Sequence, residues 1–302
     1  STTLTWNWSL SANGKNYQVM AATGGPVSPL LGPAAVEYLE PGLLANTTYT
    51  RYVRVSGCNA GADSAGAALA TLTSPPTALA ESFTAIGAGS ISAAWAAFPA
   101  SPQADSAEGY RLEASTAADF TGDLSFSANA DIAASTLAVT GLLPNTTYFF
   151  RSAALNWAGA LSTYTALGST ATLALPPVAL GESFLMVGFT SAAANWAAFA
   201  VSPPQASSAS AQGYVLEASS TNFGALSPGG AVYSSTTWNV LLSTLTLDVV
   251  PAPASLCDAH YFRAGSLNWG GRPNYTVLGS TRVTDDYRII VSTQDLYIGG
   301  VD

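Results

Sequence analysis

Apolar and polar positions alternate in short runs along the chain, and no stretch of useful length carries a helical period. Residues 90–95 and 191–196 alternate small and large side chains up to Trp95 and Trp196. Residues 109–114 and 213–218 are short runs centred on Tyr110 and Tyr214, and 135–139 and 243–247 alternate again. Turn residues recur about every 8–12 positions, which predicts an all-β chain of sandwich domains. The last stretch, 284–302, also reads as a strand. Tyr287, Ile289 and Val291 alternate with Arg288 and Ser292, Leu296 and Ile298 follow, and Gly299-Gly300 ends the run.

The alternation repeats. ALAESFTAIGAGSISAAWAAF from Ala78 aligns without a gap to ALGESFLMVGFTSAAANWAAF from Ala179. EGYRLEAS then matches QGYVLEAS, and FFRSAALNWAGALSTYTALGST from Phe149 matches YFRAGSLNWGGRPNYTVLGST from Tyr261. Pro75-Pro76 and Pro176-Pro177 punctuate the units as stiff spacers that cannot donate to a ladder. The expected organisation is 1–76, 77–175 and 176–283, with 284–302 as a separate strand.

On these motifs the chain resembles the fibronectin type III family. Trp6, Trp95 and Trp196 match its early-strand tryptophan, and Tyr17, Tyr110 and Tyr214 match the tyrosine of the next strand. LLPNTTY, ending at Tyr148, and the looser LLANTTY, ending at Tyr49, match its tyrosine corner; His260 stands there in the third unit. The resemblance implies three tandem fibronectin type III/Ig-like β-sandwiches and says little about activity. It also implies that unit one begins at the second strand of the family, because Ser1 aligns with Ser90. The tail has the length, phase and terminal glycine of a first strand.

A sandwich lacking an edge strand exposes unpaired backbone groups and an apolar slot. The expectation is therefore an extracellular, pilus-like filament assembled head to tail by donor-strand addition. Tyr287, Ile289, Val291, Leu296 and Ile298 form the donor, and Thr3, Leu4, Thr5 and Trp6 the acceptor edge. The other readings are a fragment of a long cell-surface adhesin or spacer, whose tail belongs to a further repeat, and a carbohydrate-binding module using Trp157 and Trp269. Packing of those two tryptophans against a neighbouring domain is favoured over sugar stacking. Cys58 and Cys257 are expected near opposite poles, where an intermolecular disulfide would span the joint; two small apolar residues is the plain alternative.

Composition narrows the classes. A net charge of −9, with Lys15 as the one lysine, argues against nucleic acid. The Ser/Thr/Ala-rich, Lys-poor make-up suggests secretion, and no apolar run reaches membrane-spanning length. No catalytic set, cofactor or metal site is expected. His260 is explained by its corner position, and Asp285-Asp286 by a solvated joint rather than Ca²⁺. Asn7, Asn46, Asn145 and Asn274 fit the N-glycosylation pattern, but Asn46 and Asn145 are expected to serve the corner turns instead.

Overall fold

The structure, a computed structural model, describes residues 2–57, 61–187, 190–199, 210–226, 230–248 and 259–282. The expected donor residues Tyr287 to Ile298, and Cys58 and Cys257, lie outside the described residues. The chain divides into two compact units. The first comprises 1–142 with 147–172, and the second 143–146 with 173–302.

The first unit holds two sandwiches. In the more complete one, β7 (Thr77–Ile86), β8 (Ser90–Ala96) and β11 (Thr136–Thr140) form a sheet in the order β11-β8-β7. Facing it, β9 (Gly109–Ser115), β10 (Leu124–Asn129), β12 (Thr147–Leu155) and β13 (Thr165–Ala171) take the order β10-β9-β12-β13. This three-on-four antiparallel arrangement is the fibronectin type III sandwich that the motifs implied. Its core is built from inward positions of both sheets: Ile91, Trp95, Tyr110, Leu112, Val139 and Phe150 are all buried.

The second unit repeats the arrangement. β14 (Val178–Val187), β15 (Ser191–Ala197) and β18 (Thr244–Asp248) form one sheet. β16 (Gly213–Ser219), β17 (Val232–Thr237), β19 (Ala259–Leu267) and β20 (Pro273–Arg282) form the other. Trp196, Tyr214, Leu216, Leu247 and Phe262 fill the core. The repeated Gly-Tyr has a steric cause. A Cβ on Gly109 would lie 2.2 Å from the Asn129 carbonyl oxygen, and one on Gly213 2.1 Å from that of Thr237.

The N-terminal sandwich is leaner. β1 (Leu4–Asn7) pairs with β3 (Glu37–Glu40) as a two-stranded sheet. β2 (Gly14–Ala21), β4 (Thr48–Gly57), β5 (Ala62–Asp63) and β6 (Ala67–Ala70) form the other. Its core is correspondingly small, with Trp6, Tyr17, Val19 and Val53 buried. The strand that β7 and β14 supply elsewhere has no counterpart here among the described residues.

Candidate functional site

The edge that β7 covers in its own sandwich is the informative surface. β7 pairs with β8 through Ala78↔Trp95, Phe83↔Ala93 and Ile86↔Ile91. β14 pairs with β15 through Ala179↔Trp196 and Phe184↔Ala194. In each case the first strand seats a phenylalanine edge-on against a core phenylalanine. The centroids are 5.2 Å apart for Phe83–Phe150 and 5.1 Å for Phe184–Phe262. The matching edge of the N-terminal sandwich is Leu4 to Trp6, and among the described residues β1 ladders only with β3, on the side that β11 takes beside β8. Thr5 is exposed, whereas Leu4 is half-buried and Trp6 buried.

Behind this edge the core differs in kind. Arg51 occupies the sequence position of Phe150, and Glu40 that of Val139. Arg51 Nη2 lies 2.6 Å from Glu40 Oε1, and Arg51 Nε donates to Glu40 Oε2 at 3.0 Å. The Trp6 indole N–H donates to the same Oε2 at 2.8 Å. Both charged side chains are nearly closed to solvent, at 11% and 6% exposure. Beside them opens a cavity of about 260 Å³, lined by Trp6, Trp8, Val19, Arg51, Val53 and Ala67, among others. Arg51, one half of this ion pair, lines the cavity together with the apolar Trp8, Val19, Val53 and Ala67 and the polar Asn7 and Ser64, and Glu40 accepts from the Trp6 indole.

A second feature sits at the Asn-Thr-Thr turns. Asn46 is fully buried, with φ at 46°, in the left-handed region that asparagine tolerates better than most residues. Its amide donates to the carbonyls of Gln103 (3.2 Å) and Ser106 (3.1 Å), while its Oδ1 accepts the backbone N–H of Trp157 at 3.1 Å. Gln103 Nε2 donates back to the Asn46 carbonyl at 2.9 Å. Within the second unit, Asn145 has the same backbone twist, φ 45°, and its Oδ1 accepts the Trp269 N–H at 3.2 Å. Asn46 and Asn145 are therefore locking residues closed to solvent, which is why the structural reading of these glycosylation patterns prevails. Trp157 and Trp269 take part through their main chains, and their indoles stay 52% and 38% exposed.

Two further clusters went unread in the sequence. Arg151 is stacked between Phe120 and Tyr164, 3.9 Å from each ring centre, and donates to Glu113. Arg263 is stacked likewise between Phe223 and Tyr275 and donates to Glu217. Phe120 and Phe223 reach these positions with φ of 61° and 59°, a strained twist for a bulky residue. The Tyr275 hydroxyl donates to Glu217 at 2.8 Å; burial, then that carboxylate, push its pKa up to about 12. His260 lies buried on β19 with its ring 6.3 Å from that of Tyr233.

Among the described residues no three acidic, histidine or cysteine side chains gather as a metal site, and no helix is long and apolar enough to cross a membrane. No family model and no curated protein matches the chain. Among solved structures it is similar to the FN1-FN3 domains of chicken CNTN1, at 12% identity and a TM-score of 0.30, covering 91% of this chain and 94% of that one. It is also similar to a segment of two fibronectin type III domains from chicken tenascin, at 18% identity and a TM-score of 0.32, covering 57% and 93%.

Proposed function

We propose that the chain is an extracellular structural subunit that joins copies head to tail, with the 284–302 strand of one molecule completing the N-terminal sandwich of the next. The observation that carries this reading is the edge of β1. Its counterparts in the other two sandwiches are each covered by a first strand of ten residues, β7 and β14. Here the same edge borders a cavity beside Trp6.

Strand addition suits both partners. The backbone of the added strand would ladder along Leu4, Thr5 and Trp6, each net hydrogen bond contributing roughly 0.5–1.5 kcal/mol. Leu296 and Ile298 would enter the cavity, with Tyr287, Ile289 and Val291 further along the edge. Each fully buried apolar side chain contributes roughly 1.5–3 kcal/mol. Ordering the strand offsets a large part of this sum. A contact that uses two different surfaces of the subunit, without closing into a ring, propagates as a filament.

A peptide of residues 284–302, added to a chain ending at Val283, tests the pairing. It is expected to bind with saturation and to raise the midpoint of the first unfolding transition. A peptide with Leu296 and Ile298 both changed to Asp is expected to do neither. Equal binding by the two peptides would remove strand addition as the mode of assembly.

A further inference from the structure

We infer that the cavity beside Trp6 is a small-molecule site for neutral, single-ring aromatic alcohols and phenols, and that its occupant excludes the donated strand. The second half rests on the strand-addition reading above. The first half stands on the cavity itself.

Size sets the first limit. The cavity measures about 260 Å³. An apolar cavity of about 150 Å³ already takes benzene, and sites for drug-sized ligands begin near roughly 300 Å³. One ring with a short substituent falls between these limits. The walls favour a ring over an aliphatic group of equal size. Trp6 and Trp8 line the cavity with Val19, Val53 and Ala67. The Trp6 indole N–H is spent on Glu40 at 2.8 Å, and that of Trp8 on the Ala35 carbonyl at 2.8 Å. What both tryptophans can offer an occupant is ring surface.

The polar groups select its charge. Ser64 also lines the cavity, but its hydroxyl accepts the Val53 N–H at 2.9 Å and donates to the Ala65 carbonyl at 3.0 Å. Arg51 is the cation of the lining. Its Nε and Nη2 donate to Glu40 and its Nη1 to the Thr50 carbonyl. Each terminal nitrogen carries a second N–H, so a neutral oxygen in the cavity has a donor within the lining. A carboxylate finds no spare charge there, because Glu40 already balances Arg51 at 2.6 Å. An ammonium group would face the guanidinium. Either ion would leave water without a counter-charge, whereas a hydroxyl carries no such cost. A ring seated here takes the space into which the donated strand would place its apolar side chains.

The test uses the full-length chain, diluted below the concentration at which light scattering rises. Benzyl alcohol is the probe, with toluene, benzoate and benzylamine as controls. Ligand-observed NMR titrations are expected to show one saturable benzyl alcohol site, with all three controls at least about tenfold weaker. Ala67 pairs with Arg51 across β4 and β6 and shares its face. Ala67→Leu narrows the cavity with the ion pair intact and is expected to abolish saturable binding. Arg51→Phe with Glu40→Val is expected to erase the preference for benzyl alcohol over toluene. No saturable binding, equal binding by Ala67→Leu, or benzoate as tight as benzyl alcohol would overturn the site. A preference kept by the double variant would overturn recognition by Arg51. Benzyl alcohol, and not benzoate, is also expected to raise the concentration at which filaments appear. An unchanged onset with binding intact would overturn the exclusion alone. Binding without filaments at any concentration would remove the strand-addition reading, and the exclusion with it, and leave the site standing.

Discussion

Arg51 and Glu40 form an ion pair, Nη2 to Oε1 at 2.6 Å, at the positions where the second sandwich places Phe150 and Val139. Taking two charges out of water costs several kcal/mol each, and their contact recovers this only when the remaining polar atoms are also satisfied. Here the Trp6 indole adds a third donor to the carboxylate. The arrangement orders the tryptophan next to the open edge.

Removing one partner leaves the other charge buried. Glu40→Val is expected to destabilise the N-terminal sandwich by about 3 kcal/mol. Arg51→Phe combined with Glu40→Val, which restores the pair found in the second sandwich, is expected to recover much of that loss. Urea unfolding of the single and double variants checks this, and additive losses would show that the pair is not coupled.

The same pair bears on which strand can be received. β7 and β14 present Phe83 and Phe184 to a phenylalanine. The tail offers Leu296 and Ile298, smaller apolar groups, beside Arg51 instead. A peptide of residues 77–86 is expected to bind the chain ending at Val283 at least tenfold more weakly than the 284–302 peptide. Arg51→Phe with Glu40→Val is expected to narrow that ratio. Titration calorimetry reads both numbers, and an unchanged ratio would assign the preference elsewhere.

At the joint in the first unit, Asn46→Ala removes three hydrogen bonds and places a β-carbon at a φ of 46°. Asn46→Gly removes the bonds and relieves the backbone. Both are expected to lower stability, Ala more than Gly by about 1 kcal/mol. Faster proteolysis between residues 71 and 77 is expected in each. Equal cleavage of the unaltered chain and both variants would show that the lock does not restrain the joint.

Tyr275 supplies a pH signature. Its hydroxyl must remain protonated to donate to Glu217, and burial followed by that carboxylate push its pKa up to about 12. A group whose folded pKa is raised contributes stability that is complete below its unfolded value, near 10, and is lost as pH rises through the folded one. Thermal midpoints of the unaltered chain are expected to fall more steeply between pH 10 and 12 than those of Tyr275→Phe. Parallel curves would contradict the assignment.

Much of the fold was legible because strand alternation and turn spacing are local. The tryptophan and tyrosine runs expected at 90–95, 109–114, 191–196 and 213–218 are β8, β9, β15 and β16. Less visible were β10, whose outward Phe126 lies between small polar residues, and β17, where Val232-Tyr233 runs into Ser and Thr; neither carries a motif. The buried ion pair was missed because Glu40 and Arg51 look like ordinary strand charges until alignment of the repeats puts them at the positions of the buried Val139 and Phe150. The joint lock was hidden for another reason. Asn46 reads as a turn residue, and its partner is a main-chain N–H 111 positions away, to which no side-chain pattern points.

The central claim is most directly tested by comparing the full-length chain with one ending at Val283, by negative-stain microscopy and light scattering over a range of concentrations. Filaments from the full-length chain, with a monomeric truncation, are the predicted result. Two monomers at every concentration, or filaments from both, would contradict it.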